Sequence, residues 1–198
     1  MARSLEALQR IGLKLFLDDD AALDPRTLVP VFHRWIQTRA LDLQLIDVAD
    51  YTHVHEGPSV VLVAHEGNLV LDLSDGRMGL QYYRKQTVEG PLSSRLASLC
   101  RLVVSTAIRL EADPVLKDRA RFRGDELEFV SNDRLAAPND EETFGAMSAA
   151  LGPLAQRLYP DVPVSLSRNP DPRERLIVHV KAPQRVPLAT LGECLIDS

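Results

Sequence analysis

The sequence predicts an α+β fold in two layers, a mainly antiparallel sheet built from hairpins and covered by amphipathic helices. Short runs of alternating apolar and polar residues are punctuated by Gly67-Asn68, Asp75-Gly76 and Gly124-Asp125, dipeptides suited to tight hairpin turns. Longer windows instead repeat apolar residues every three or four positions, as helices with one buried face do. These elements follow one another as strand, helix, strands, helix, hairpin, helix and hairpin, a mixture that favours layers of helix on antiparallel sheet.

The first strand is read from the alternation around Leu13, Leu15 and Leu17, and Asp18-Asp19-Asp20 ends it. That acidic triplet lacks the ligand spacing and turn glycine of a calcium loop and is expected to be a solvated turn. Leu28, Val31, Phe32, Trp35 and Ile36 then recur at helical spacing, with Thr27 as N-cap. Leu41 to Tyr51 reads as a strand that places Asp47 in an apolar row, where the carboxylate needs either a partner or a nearby sheet edge.

The turn dipeptides imply a register for the next three strands. A Gly67-Asn68 loop pairs His65 with Val70 and Val63 with Asp72, and an Asp75-Gly76 loop pairs Ser74 with Arg77 and Leu71 with Leu80. One face then carries Leu62, Ala64, Leu69, Leu71, Leu80 and Tyr82, plainly a core face. The other carries Val61, Val63, His65, Val70, Asp72, Gln81 and Tyr83.

Leu92, Leu96, Leu99, Val103, Ala107 and Leu110 define a long helix opened by Pro91. A hairpin about Gly124-Asp125 would set Arg121 and Arg123 against Glu128 and Glu126 as a solvated charge ladder. Asn139 and Glu142 open a helix through Phe144, Met147, Leu151, Leu154 and Leu158, which Gly152-Pro153 is expected to kink or break. Val162, Val164 and Leu166, then Leu176, Val178 and Val180, read as strands about the rigid Asn169-Pro170-Asp171-Pro172 turn. Leu188, Leu191, Leu195 and Ile196 suggest a short terminal helix.

The 198 residues, 45% apolar and 26% charged, suffice for one core, and the chain is read as a single domain over 1–198. Two α+β halves meeting near 113–118 are the other organisation considered, though no residue repeat supports them. A net charge of −5 argues against a large basic surface, and so against a nucleic-acid partner. No run approaches the ~18 apolar residues of a membrane span, and the N-terminus has no apolar stretch of signal-peptide type. Of two cysteines, Cys100 sits in a strongly apolar helical pattern, so a reducing, cytoplasmic setting is expected.

The chemistry-bearing residues gather between Asp47 and Tyr83. His53, His55 and His65 are three of the five histidines, and with Asp72 as a fourth ligand they offer a donor set for a divalent ion such as Zn²⁺, Fe²⁺ or Mn²⁺. The same region also supports a reading without metal. His65, Asp72, Gln81 and Tyr83, interleaved with valines on one sheet face, have the half-apolar makeup of a ligand site or protein interface. No phosphate loop, dinucleotide fingerprint, nucleophile elbow or Cys-x-x-Cys is present.

The run Val29-Pro-Val-Phe-His-Arg-Trp-Ile-Gln37, with Leu45-Ile-Asp-Val-Ala-Asp-Tyr51 and Gly57-Pro58, resembles a family of uncharacterised bacterial proteins of about this length. The resemblance implies a bacterial source and carries no activity or site residue. The leading expectation is a non-catalytic cytoplasmic binding or interaction module that uses the His65 face, with a second copy or another protein as partner. The alternative is a metal-binding protein or metal-dependent enzyme built on the three histidines.

Overall fold

The structure, a computed structural model, describes residues 4–54, 58–73, 76–160 and 162–196, the side chain at 118 excepted. β1 (Ile11–Leu17) leads to α1 (Leu28–Thr38), followed by β2 (Leu45–Asp50), β3 (Pro58–Ala64), β4 (Gly67–Asp72) and β5 (Gly79–Arg84). Then come α2 (Leu92–Glu111), β6 (Phe122–Ser131), α3 (Glu141–Leu158), β7 (Ser165–Ser167), β8 (Ile177–Lys181) and α4 (Leu188–Cys194). The eight strands form one antiparallel sheet in the order β2-β3-β4-β5-β1-β6-β8-β7. β1 lies between β5 and β6 and so joins the two halves of the chain.

Alternation along the strands divides the sheet into two unlike faces. Leu13, Leu15, Leu62, Leu71, Leu80, Leu127 and Val178 share one hydrophobic cluster with Phe32 and Trp35 of α1, Leu96 and Leu99 of α2, Met147 of α3 and Leu191 of α4. All four described helices therefore bury their apolar stripes on the same side. Phe16, Val61, Val70 and Val130 are also buried, but they belong to the opposite face and lie outside that cluster. Among the described residues no helix is long and apolar enough to cross a membrane.

Several elements differ from their sequence reading, each for a local reason. The loop between β3 and β4 is His65-Glu66, not Gly67-Asn68, because Leu62 pairs with Leu69 and Val63 with Asn68. Gly67 is the first residue of β4, where a Cβ would stand 2.4 Å from the Tyr82 ring carbon Cζ and its hydroxyl. This glycine serves a close approach and no turn. The register between β4 and β5 is the expected one, with Leu71 opposite Leu80, while Ser74 and its pairing lie outside the described residues.

Gly124 likewise opens no hairpin. It lies inside β6, where the pairing with β1 slips between Leu15–Leu127 and Leu17–Phe122, a bulge. Here the chain near Val186 crosses so closely that a Cβ on Gly124 would be 1.8 Å from the Val186 carbonyl oxygen. The Tyr159 hydroxyl donates to the Gly124 carbonyl at 2.9 Å. Arg121 and Arg123 are consequently not rungs of a cross-strand ladder, although Arg123 comes within 4.0 Å of Glu126 three residues on in the same strand. They reach back to Asp20 (2.9 Å) and Asp19 (3.4 Å) after β1, and Arg123 also holds Asp125 at 2.9 Å.

α3 runs unbroken through Pro153. Pro153 and Ala149, whose carbonyl loses its N–H partner, both lie on the exposed side, where water can take the lost bond. Its N-cap is Asp140, accepting from the Thr143 N–H at 2.7 Å. Asn139 instead donates to the carbonyls of Asn169 and Asp171 and so pins the proline-bracketed turn. The strand expected from Leu41 begins only at Leu45, and Asp47 is exposed on the edge strand β2, accepting from the Val48 N–H at 2.8 Å. That contact occupies a backbone donor on an open sheet edge.

Candidate functional site

The face without helices is ordered in transverse rows by the strand register. One row runs Ala49, Val61, Val70, Gln81, Lys14, Glu128, His179 and Ser167 across all eight strands. The next runs Asp47, Val63, Asn68, Tyr83, Gly12, Val130 and Ile177. Asp72, Gln81 and Tyr83 thus share this face as expected. His65 does not: shifting the register by four residues moves it out of the strand into the exposed turn, where its N–H donates to the Gln44 carbonyl at 2.9 Å.

Long side chains lie flat on this face and satisfy most of its charge. Lys14 is fully buried, and its Nζ sits 2.7 Å from Asp72 Oδ2 two strands away. Gly79 stands between them, and a Cβ there would be 2.9 Å from Lys14 Cε, so the glycine provides the channel the lysine uses. His179 Nδ1 approaches Glu128 at 2.9 Å, and Arg77 grips Glu126 through two bonds of 2.8 and 3.0 Å while stacking 4.0 Å above the Phe16 ring.

The Arg77 hydrogen bonds hold the Glu126 carboxyl below the ordinary glutamate range despite its burial. A folded-state pKa lowered in this way contributes stability above the unfolded value and loses it as pH falls through the folded one. An acid titration of unfolding free energy is expected to lose less stability below about pH 4 in Arg77→Met than in the wild type. Parallel curves for the two proteins would show the pair to be inert.

Two acceptors on this face remain without partners. Gln81 is 3% exposed and its Oε1 has no hydrogen-bond partner, and the same holds for Asn68 Oδ1 on the neighbouring strand. Asn68, Val63, Tyr83 and Ile177 are half-buried, so this second row is the accessible part of the face.

His53 and His65 do not converge. His53 follows β2 and His65 follows β3, so the seven-residue β3 separates them by roughly 20 Å at the usual rise per residue. His53 is exposed with its ring 6.5 Å from that of Tyr51, and His55 lies outside the described residues. Among the described residues no group of three His, Cys, Asp or Glu side chains is placed to hold a metal ion. Asp72, expected as a fourth ligand, is instead engaged with Lys14.

A cavity that sequence reading missed lies on the helical side. About 470 Å³ in volume, it opens between the outer face of α2, the end of β5 and the connection at residues 40–43. Ser98, Leu102, Ser105 and Arg109 of α2 line it, one stripe at helical spacing, and Tyr82 and Arg84 face them from β5. Burial pushes the Tyr82 hydroxyl up to about 12. The sequence signal was present as the spacing of Ser98, Ser105 and Arg109, but on an amphipathic helix such a stripe looks like ordinary solvent-facing surface.

Comparison with known proteins lends no relative: the chain matches no protein-family model and no curated protein sequence.

Proposed function

We propose that the chain is a non-catalytic binding module that associates with a second copy of itself through the helix-free sheet face, around Val63, Asn68 and Tyr83. The observation that carries this is the half-buried row of Val63, Asn68, Tyr83 and Ile177, apolar, aromatic and carboxamide side chains together on a face that no described helix covers. A half-buried carboxamide among apolar side chains is a mixture common at protein interfaces, and on a two-fold axis Asn68 faces its own copy.

Charge favours the same occupant. On this face Lys14, Arg77, Lys181 and Arg175, the last over the Tyr83 ring, offset Asp47, Asp72, Glu126 and Glu128, whereas the chain as a whole carries −5. Two acidic molecules approach with least repulsion where their surfaces are nearly neutral. The non-catalytic part of the reading is supported by the thiol chemistry: Cys100 is wholly buried and its pKa is pushed up to about 12, far from a reactive thiolate. A cytoplasmic location belongs to the same proposal, since Cys100 and Cys194 are both free.

Sedimentation velocity over a concentration series tests the reading. The wild type is expected as a dimer and Val63→Asp, which sets a charge in the accessible row, as a folded monomer. A wild type that stays monomeric at the highest concentration, or a Val63→Asp variant that dimerises equally well, would overturn it.

A further inference from the structure

The cavity beside α2 contains a charge imbalance that the sheet face does not touch. Arg84 is half-buried in its wall, donating to Ser98 Oγ at 3.0 Å and to the Arg95 carbonyl at 3.3 Å. Among the described residues no carboxylate lies within ion-pair distance of its guanidinium. Arg95, immediately behind, is 1% exposed and spends its own guanidinium on the carbonyls of Leu8 and Glu6, both at 2.6 Å. Among the described residues its one carboxylate neighbour is Glu6, at 3.7 Å and largely in solvent.

Two adjacent guanidinium groups thus leave the bulk water with little negative charge to answer them. Burial draws the Arg84 pKa down from its ordinary value, the neighbouring Tyr82 hydroxyl opposes that shift and Arg95 adds to it, as expected of a guanidinium held partly out of water. Arg101 and Arg109 line the same cavity, Arg101 donating to the Leu195 carbonyl at 2.8 Å and Arg109 exposed at the rim. Leu41, Leu43, Leu102 and Val88 supply the apolar part of the lining, and Asp42 and Glu66 stand on the side of the connection. Glu66 is engaged there, accepting from the Gln44 N–H at 3.0 Å.

We propose that this cavity binds a small organic anion, an oxyanion head on a short apolar body, with Arg84 and Arg109 meeting the head and Leu43 and Leu102 the body. Guanidinium groups match carboxylate and phosphate oxygens in geometry, and a ligand anion in a half-buried site supplies the charge that Arg84 lacks. The volume suits a compact ligand, since small-molecule sites run from about 300 to 1,000 Å³. The site is independent of the sheet-face association, so each proposal can fail alone.

Isothermal titration calorimetry and thermal unfolding with hexanoate, hexyl phosphate, inorganic phosphate and hexylamine test it. Saturable binding of hexanoate or hexyl phosphate is expected, the better of the two naming the head group, with a rise in unfolding midpoint and no binding of hexylamine. Arg84→Met is expected to weaken that binding by about tenfold or more, the loss of one strong charge-assisted contact. Arg109→Ala, at an exposed position that leaves the fold intact, is expected to weaken it severalfold and keeps the test alive if Arg84→Met does not fold. Absence of binding by both organic anions, equal binding of hexylamine, full binding by inorganic phosphate alone, or unchanged affinity in the foldable variants would each overturn the assignment.

Discussion

Lys14→Ala is expected to be the most damaging single substitution in the sheet, lowering unfolding free energy by about 3–5 kcal/mol, the usual cost of breaking a buried ion pair from one side. Lys14 is fully buried on the central strand β1, and the Asp72 side chain beside it is 8% exposed. Removing the ammonium leaves a carboxylate out of water with its closest cation gone, and it also empties the channel over Gly79. Because the cost comes from the stranded charge, Lys14→Met combined with Asp72→Leu is expected to recover most of it. Urea unfolding of the two variants decides the matter. A Lys14→Ala cost below about 1 kcal/mol would show the pair to be a solvated one after all.

Gly124→Ala is expected to destabilise by about 1–3 kcal/mol or more through overpacking, a large effect for one methyl group. Its φ is not among the positive ones of the chain, so alanine meets no backbone penalty there. The cost arises from collision with the Val186 carbonyl, only 1.8 Å from the added Cβ. Either β6 loses its bulge or the segment leading into α4 lifts from the sheet, and hydrogen exchange across α4 distinguishes the two. An unchanged unfolding midpoint would mean that the chain does not cross the strand at this point.

These two residues also mark the boundary of what the sequence discloses. The helical stripes of α1, α2 and α3, the sorting of strand residues into core and opposite faces, and the β4–β5 register follow from periodicity and the Asp-Gly turn. Gly67 and Gly124 were misread for one reason: a glycine beside a polar residue signals a turn, yet here each is needed where another group comes too close for a Cβ. The β3–β4 error displaced the register by an even number of residues, so Val63 and Gln81 kept their face. Of the residues assigned to the candidate face, His65 left it, passing from strand to turn, while Asn68 passed from turn to strand and joined it.

The separation of His53 from His65 was hidden because sequence proximity says nothing about which end of a strand a residue occupies. His53 and His65 bracket β3 and are held apart by its length. The cavity was illegible for the opposite reason. Arg84 and the α2 stripe come together where α2 packs on β5, the 40–43 connection closes the space beside them, and no local pattern records either step.

The central claim is that two copies meet on the helix-free face with Asn68 near the two-fold axis. The direct measurement is cross-linking of Asn68→Cys, in a Cys194→Ser background, by a short bis-maleimide, with Ser105→Cys on the outer face of α2 as the comparison. A covalent dimer formed through position 68 and not through position 105 is the expected result. Equal yields at the two positions, or no dimer through position 68 at concentrations where the protein is self-associated, would contradict it.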